Sequence, residues 1–216
     1  MGDVHPFGNP HYLLDPIDGL KAARLIRDKL TTLRPSAKDA FEAGYAAFRK
    51  KLGAALVGEK LAKKYDFEKL AVLAEHGKLL EFLKSQGDGQ LLAGWLGLVA
   101  PYYGTKAVGD HNLWPYFAQR FGLNMVGYLE PKPGIAPSTK SLAEMVGRMK
   151  SEGVKVVLAS PYFDQRHAKF VAEKSGARVV TMGHQVGAHQ GCETYLSMVD
   201  HNVQELAAAL GSGSGR

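Results

Sequence analysis

NMVGYLEPKPGIAPSTKSLAEMVGRMKSEGVKVVLASPYFDQRHAKFVAEKSGARVVTM, residues 124–182, reads as strand, helix, strand, helix, strand. Three short apolar, β-branched runs carry the strands: residues 124–129 (NMVGYL), 154–159 (VKVVLA) and 177–182 (ARVVTM). Between the first two, Ser141 and Glu144 form a capping box, Leu142, Met145, Val146 and Met149 supply an apolar face, and Gly153 stands where a C-terminal cap belongs. The next helix is expected to open with Ser160 before Pro161 and to end before Gly176. Working outward, Tyr103-Gly104 turns the chain into an earlier strand at residues 105–109, and a last helix is expected over residues 194–210. Strands alternating with helices imply right-handed crossovers, so the expected fold class is α/β, with a parallel sheet of about four strands flanked by helices.

The first half reads differently. Residues 1–16 are an irregular arm, and Asp15-Pro16 starts a helix that runs to about Leu33. Arg34-Pro35-Ser36 breaks it. A second helical pattern follows, with Phe41, Tyr45, Phe48 and Leu52 on one face, and helical character continues to about Leu83 with interruptions near Gly58 and Gly77. The apolar run at residues 91–100 (LLAGWLGLVA) is too short to span a bilayer, which takes about 20 residues, and reads as core. The expected divisions are residues 1–34 (arm plus helix), 35–100 (helical), 101–210 (α/β) and a flexible tail at 211–216.

With 45% hydrophobic and 22% charged residues, the 216-residue chain has the make-up of a globular protein rather than a disordered one. Its net charge of +6 shows a mild concentration between Arg49 and Lys64, read as a solvated helix face. No aromatic interleaving or nucleic-acid motif accompanies it, so no nucleic-acid partner is expected. Cys192 is the single cysteine, which excludes an intrachain disulfide and a multi-cysteine zinc site. Residues 1–16 have no basic start followed by an apolar stretch, so no signal peptide is read in this chain. There is no Gly-x-Ser-x-Gly elbow, no phosphate loop ending in Gly-Lys-Ser/Thr and no His-Glu-x-x-His, and the chain is not expected to be an enzyme.

Ligands of open parallel sheets gather at the carboxyl ends of the strands. There the sequence places Asp110-His111, Glu130, Asp164 and Gly183-His184, an assortment suited to zinc or manganese and equally to acid–base work. Each has a plainer reading. His111-Asn112 can open a helix and cap its backbone. Glu130, before the stiff Pro131–Gly134 turn, is expected to pair with a cation or a backbone amide rather than touch metal. His184 and His189 lie in a Gly-rich loop open to solvent, and His76, His167 and His201 sit in helical patterns as surface residues.

Four ordered motifs carry a family resemblance: GNPHYLLDP (residues 8–16), DHNLWPYF with RFGL (110–117, 120–123), EPKPGIAP (130–137) and ETYL (193–196). They resemble those of the zinc- and manganese-binding solute-binding proteins of ABC importers. The resemblance implies two α/β lobes joined by a long rigid linker helix, best matched by residues 35 to about 83, with residues 1–34 a remnant of the first lobe. It also implies a periplasmic protein that holds a metal ion between lobes for a membrane permease. His11 and His111 are the implied ligands, and His rather than Glu at 111 favours Zn²⁺ over Mn²⁺. The family's last ligand is an Asp after the fourth strand, and His184 is the candidate in its place, with His189 second. The family's stretch before GNPH, with its first metal-binding His, has no counterpart here, which implies either an open site or a homodimer completing it. The competing readings are an interaction module that has kept the scaffold but no longer transports metal, and a zinc-dependent enzyme.

Overall fold

The computed structural model describes residues 8–130 and 135–211. The Pro131–Gly134 turn and, apart from Gly211, the expected tail lie outside the described residues. The chain divides into two compact units: residues 15–98, and residues 8–14 with 99–211. The break thus falls at 98/99, and the first helix groups with the helices after it rather than with the arm.

In the helical unit, Asp15 caps α1 (Pro16–Leu33), its Oδ1 accepting from Ile17 N at 2.8 Å. Arg34 ends α1 because the residue before a proline avoids the helical region. A 3₁₀ turn at Pro35–Ala37 leads to α2 (Lys38–Val57), and so short a link makes α1 and α2 an antiparallel hairpin. The expected single linker helix over residues 35–83 is instead a chain of four. Gly58 (φ 88°) separates α2 from α3 (Glu59–Lys64), Asp66 caps α4 (Phe67–Glu75), and Gly77 (φ 69°) precedes α5 (Leu79–Ser85). A positive φ ends a right-handed helix, and only glycine adopts it without strain. Leu52, Leu56, Leu61, Leu70 and Leu83 form the buried centre of this unit. The short α6 (Gly94–Val99) ends where the second unit begins.

The second unit holds β1 (Lys106–Gly109), α7 (Pro115–Arg120), β2 (Asn124–Tyr128), α8 (Thr139–Glu152), β3 (Val156–Ala159), α9 (Arg166–Ser175), β4 (Arg178–Thr181) and α10 (Tyr195–Gly211). The strands pair in parallel in the order β2-β1-β3-β4, as the alternating sequence pattern requires. Two helix starts differ from expectation. Ser138, not Ser141, caps α8, accepting from Ser141 N at 3.1 Å, and Gly153 closes the helix in the left-handed conformation. The helix expected from Pro161 begins only at Arg166, because Ser160 and Phe163 close a turn and Ser160 Oγ accepts from Tyr162 N instead of capping a helix.

Val108, Val157 and Ala159 form one buried layer with Leu142 and Met149 of α8 and Val171 of α9. Side chains alternate along a strand, so Ala107, Gly109, Val156 and Leu158 face the other side. There a Cβ at Gly109 would lie 2.9 Å from the Trp114 ring, and one at Gly183 would lie 3.4 Å from Met198 of α10. None of the described helices is long and apolar enough to cross a membrane.

Gly109 is the last residue of β1, and an added Cβ would also come within 2.8 Å of the Tyr128 ring and 3.0 Å of the His111 carbonyl. Since a backbone oxygen and a fully buried indole cannot both yield, Gly109→Ala is expected to cost about 1–3 kcal/mol in urea denaturation.

Candidate metal centre

The strand order places a topological switch point between β1 and β3, where a parallel sheet opens a crevice at its carboxyl edge. Asp110 and His111 follow β1, Ser160 follows β3, Glu130 lies just beyond β2, and His184 just beyond β4. The sheet thereby brings together residues spread over 75 positions of sequence (110 to 184).

Asp110 is the buried anchor. Its Oδ1 accepts from His111 N at 2.6 Å and from Trp114 Nε1 at 3.1 Å, and its Oδ2 accepts from Ser160 N at 2.7 Å. Burial pushes its carboxyl up to about 6, against the opposing pull of these N–H donors. Trp114, fully buried, is thus fixed at its ring nitrogen.

His111 is not a helix cap: α7 starts four residues later, and the buried imidazole turns toward Glu130. A carboxylate can only accept, so His111 Nδ1 carries the proton donated to Glu130 Oε2. That tautomer leaves Nε2 with its lone pair, the arrangement by which a carboxylate orients a metal-binding imidazole. Glu130 therefore does pair with a neighbouring group, a ring N–H. Phe163 stacks on the His111 ring with centroids 4.8 Å apart.

His184 Nδ1 lies 2.9 Å from Ser160 Oγ. Burial lowers its pKa, and the nearby His111 lowers it further, which marks the two imidazoles as electrostatic neighbours. Tyr162 fills the space between the aromatic groups, its ring 5.2 Å from Phe163 and 5.6 Å from His184. The loop carrying His184 is tied down by the fully buried Asn202 of α10, whose side-chain amide accepts from Gly183 N at 2.7 Å and donates to Gly183 O at 2.8 Å. His184 is accordingly half-buried rather than open to solvent.

The other candidates go elsewhere. Asp164 is held by Arg166, with Arg166 Nε at 2.6 Å, and this exposed pair lies outside the cluster. His189 is exposed, but its ring stacks at 4.9 Å on His201, which is half-buried with its Nε2 enclosed rather than on the surface. His11 rides on the arm, where a 3₁₀ turn (His11–Leu14) packs against α7. Asn9 Nδ2 donates to Asn112 O at 2.8 Å, Tyr116 Oη donates to Asn9 O at 3.2 Å, and Tyr195 Oη donates to Leu13 O at 2.9 Å. The arm is thus pinned beside the His111 loop. Among the described residues, however, no group of three His, Cys, Asp or Glu side chains is placed to hold a metal ion.

Sequence reasoning overlooked Ser160, Asn202 and the Tyr162-Phe163 pair. The signal for the first and last was present: Ser160-Pro161-Tyr162-Phe163 follows the third strand directly, at the edge where the histidines were sought. Nothing local marks Asn202, one of several polar residues in the middle of the last helix.

Residues 98–209 match the family described as zinc-uptake complex component A, periplasmic. The chain belongs to this family. The zinc-uptake component match takes in all four strands with Asp110, His111, Glu130, Ser160, His184 and Asn202, and leaves out the arm with His11. The chain is also similar to the zinc-binding lipoprotein AdcA of Streptococcus pneumoniae, 23% identical over 95% of this chain and 34% of AdcA. The zinc-binding protein AdcA of Streptococcus pyogenes is 22% identical over 95% of this chain and 33% of its own length. The chain therefore spans about a third of the curated relatives it matches. Among solved structures, the laminin-binding adhesin Lmb of Streptococcus agalactiae superposes with a TM-score of 0.65 at 24% identity, covering 97% of this chain and 67% of Lmb. FpvC of Pseudomonas aeruginosa, in complex with Mn²⁺, superposes with a TM-score of 0.67 at 18% identity, covering 95% and 62%. These likenesses show that nearly the whole chain shares the fold of these solved structures.

Within that fold the Asp110 network is expected to dominate the stability of the rim. Asp110→Ala leaves three N–H groups without an acceptor, two of them backbone amides at strand ends. At about 1–3 kcal/mol for each buried donor left unmade, a loss of at least about 3 kcal/mol is expected in chemical denaturation.

Proposed function

We propose that this chain is a metal-binding component of an ABC-type importer, acting in the periplasm to hold zinc at the rim of its parallel sheet for delivery to a membrane permease. The observation that carries the reading is the His111–Glu130 pair. A buried imidazole with Nδ1 committed to a carboxylate presents Nε2 as a ligand of fixed direction. His184 is its proposed partner: in the tautomer that donates Nδ1–H to Ser160 Oγ, its Nε2 is likewise left for an ion. His11 on the adjoining arm is the proposed third ligand, and water or a group from a second copy of the chain completes a tetrahedral shell. Two imidazoles favour zinc, in keeping with relatives named as zinc-binding, while the Mn²⁺ complex of FpvC shows that the fold also accepts the harder ion. The ion is cargo, and the family is described by uptake rather than by a reaction, which supports a non-enzymatic role.

A second reading has one observation behind it: no three-donor group is assembled among the described residues. On that reading the chain is a scaffold that no longer carries metal.

Titrating chelator-treated protein with zinc chloride in a calorimeter separates the two. Binding is expected in the parent, abolished or weakened at least about a hundredfold in His111→Ala, and weakened about 10- to 100-fold in Glu130→Gln, which spares the ligand but loosens its orientation. A folded parent that takes up no zinc, or a His111→Ala variant as tight as the parent, would overturn the transport reading and leave the scaffold.

A further inference from the structure

Asn202 is the one polar residue of α10 that is buried, and burying an amide costs free energy unless both of its ends are paired. Both are, and to the same residue: Oδ1 accepts from Gly183 N at 2.7 Å and Nδ2 donates to Gly183 O at 2.8 Å. β4 stands at one end of the strand order, and its sheet bonds continue as far as Met182, whose N donates to Ala159 O at 2.9 Å. For Gly183 the amide of Asn202, with a donor and an acceptor side by side, takes the place of a further strand. The helix comes this close because position 183 carries no side chain. A Cβ there would lie 2.8 Å from the Sγ of Cys192, itself fully buried.

The residue after this clamp is His184, whose Nδ1 lies 2.9 Å from Ser160 Oγ. Ser160 is held in turn by Asp110 through its amide. The imidazole is therefore located from two sides, by a side-chain contact across the sheet edge and by a peptide group fixed to α10. Further along the loop the backbone is tied again where Gly187 N donates to Cys192 O at 2.7 Å. A metal ligand has to be kept within about 0.5 Å of its working position, and a loop residue reaches that standard only through such supports. Packing of α10 against its unit does not call for an amide at 202. Val203 and Leu206, both fully buried and apolar, already seat the helix. What the amide adds is a fixed backbone beside His184.

We infer that Asn202 is a positioning residue of the proposed zinc site, setting zinc affinity through the backbone of Gly183 and the imidazole of His184. The inference rests on the reading of His184 as a ligand. Asn202 donates nothing to the ion. It removes beforehand the freedom that His184 would otherwise lose on binding, so its truncation weakens binding while every proposed ligand is still present.

Zinc affinity is measured by competition with a chromophoric chelator in the full chain and in Asn202→Ala, His184→Ala, the double variant and Val203→Ala, each at a temperature where circular dichroism shows it folded. Asn202→Ala is expected to weaken binding about 10- to 100-fold, and His184→Ala at least as much. In the double variant the loss should equal that of His184→Ala alone, because a residue that acts only through His184 has nothing left to act on. Val203→Ala, a cavity in the same helix, should lower stability and leave zinc affinity unchanged. In metal-free protein, long-range ¹H–¹⁵N correlation of the His184 ring should show one tautomer, protonated at Nδ1, in the parent and in Val203→Ala, and an average of two in Asn202→Ala. Asn202→Ser replaces Asn202→Ala should the latter fail to fold, and the parent spectrum serves as the test should both fail. Asn202→Ala binding zinc as tightly as the parent, equal losses from Asn202→Ala with and without His184, or an averaged His184 ring in the parent would overturn the positioning role and leave the zinc site standing. A parent that takes up no zinc, or a His184→Ala variant as tight as the parent, would instead remove the ligand reading and the positioning role with it.

Discussion

Asp110 accepts hydrogen bonds from three segments at once: the backbone leaving β1, the backbone leaving β3, and the indole that opens α7. A carboxylate held away from water is costly, which is why its pKa rises, and it persists here because every donor around it is aimed and buried. The consequence is directional. The same carboxylate fixes the amide of His111 and the amide of Ser160, so the two residues that face the crevice are set relative to each other by one side chain. The switch point of the sheet provides the crevice, and Asp110 determines what its walls can hold.

From that anchor the rim is built outward in polar steps that each orient the next. Asp110 fixes the backbone of His111, Glu130 turns its ring, Ser160 meets His184, and Asn202 holds the loop that carries His184. Phe163 stacks on the His111 ring, and Tyr162 meets His184 edge-on. Burial and proximity both disfavour a charged His184, and a neutral imidazole is the form that binds a metal ion.

The parallel sheet was legible because its signal is local: β-branched runs of four to six residues, separated by helices closed by Gly153 and Gly176, admit few other readings. His111, His184 and Glu130 were legible for a related reason, since the carboxyl end of each strand can be located once the strand is. Burial of His184 was not, because it depends on Asn202, a residue 18 positions away whose partner is a backbone glycine. The single linker helix failed for a different reason. The interruptions near Gly58 and Gly77 were legible from the glycines themselves and are full helix ends, whereas the break at Asp66, made by a side-chain cap, is one that helical periodicity does not register.

The two parts of the proposed site differ in how firmly they are held, and that difference bears on capture and release. His111 and His184 rest on buried bonds whose loss leaves donors stranded in the interior. The arm carrying His11 is held by the buried Leu14 and by three side chain-to-backbone bonds, each contributing about 0.5–1.5 kcal/mol net. In the proposed site an ion held by His111 and His184 would gain affinity from His11 on the arm and lose it without that ligand, without disturbing the sheet. Such a division suits a carrier better than a closed four-ligand cage, which would hold zinc as a structural element and give it up only on unfolding.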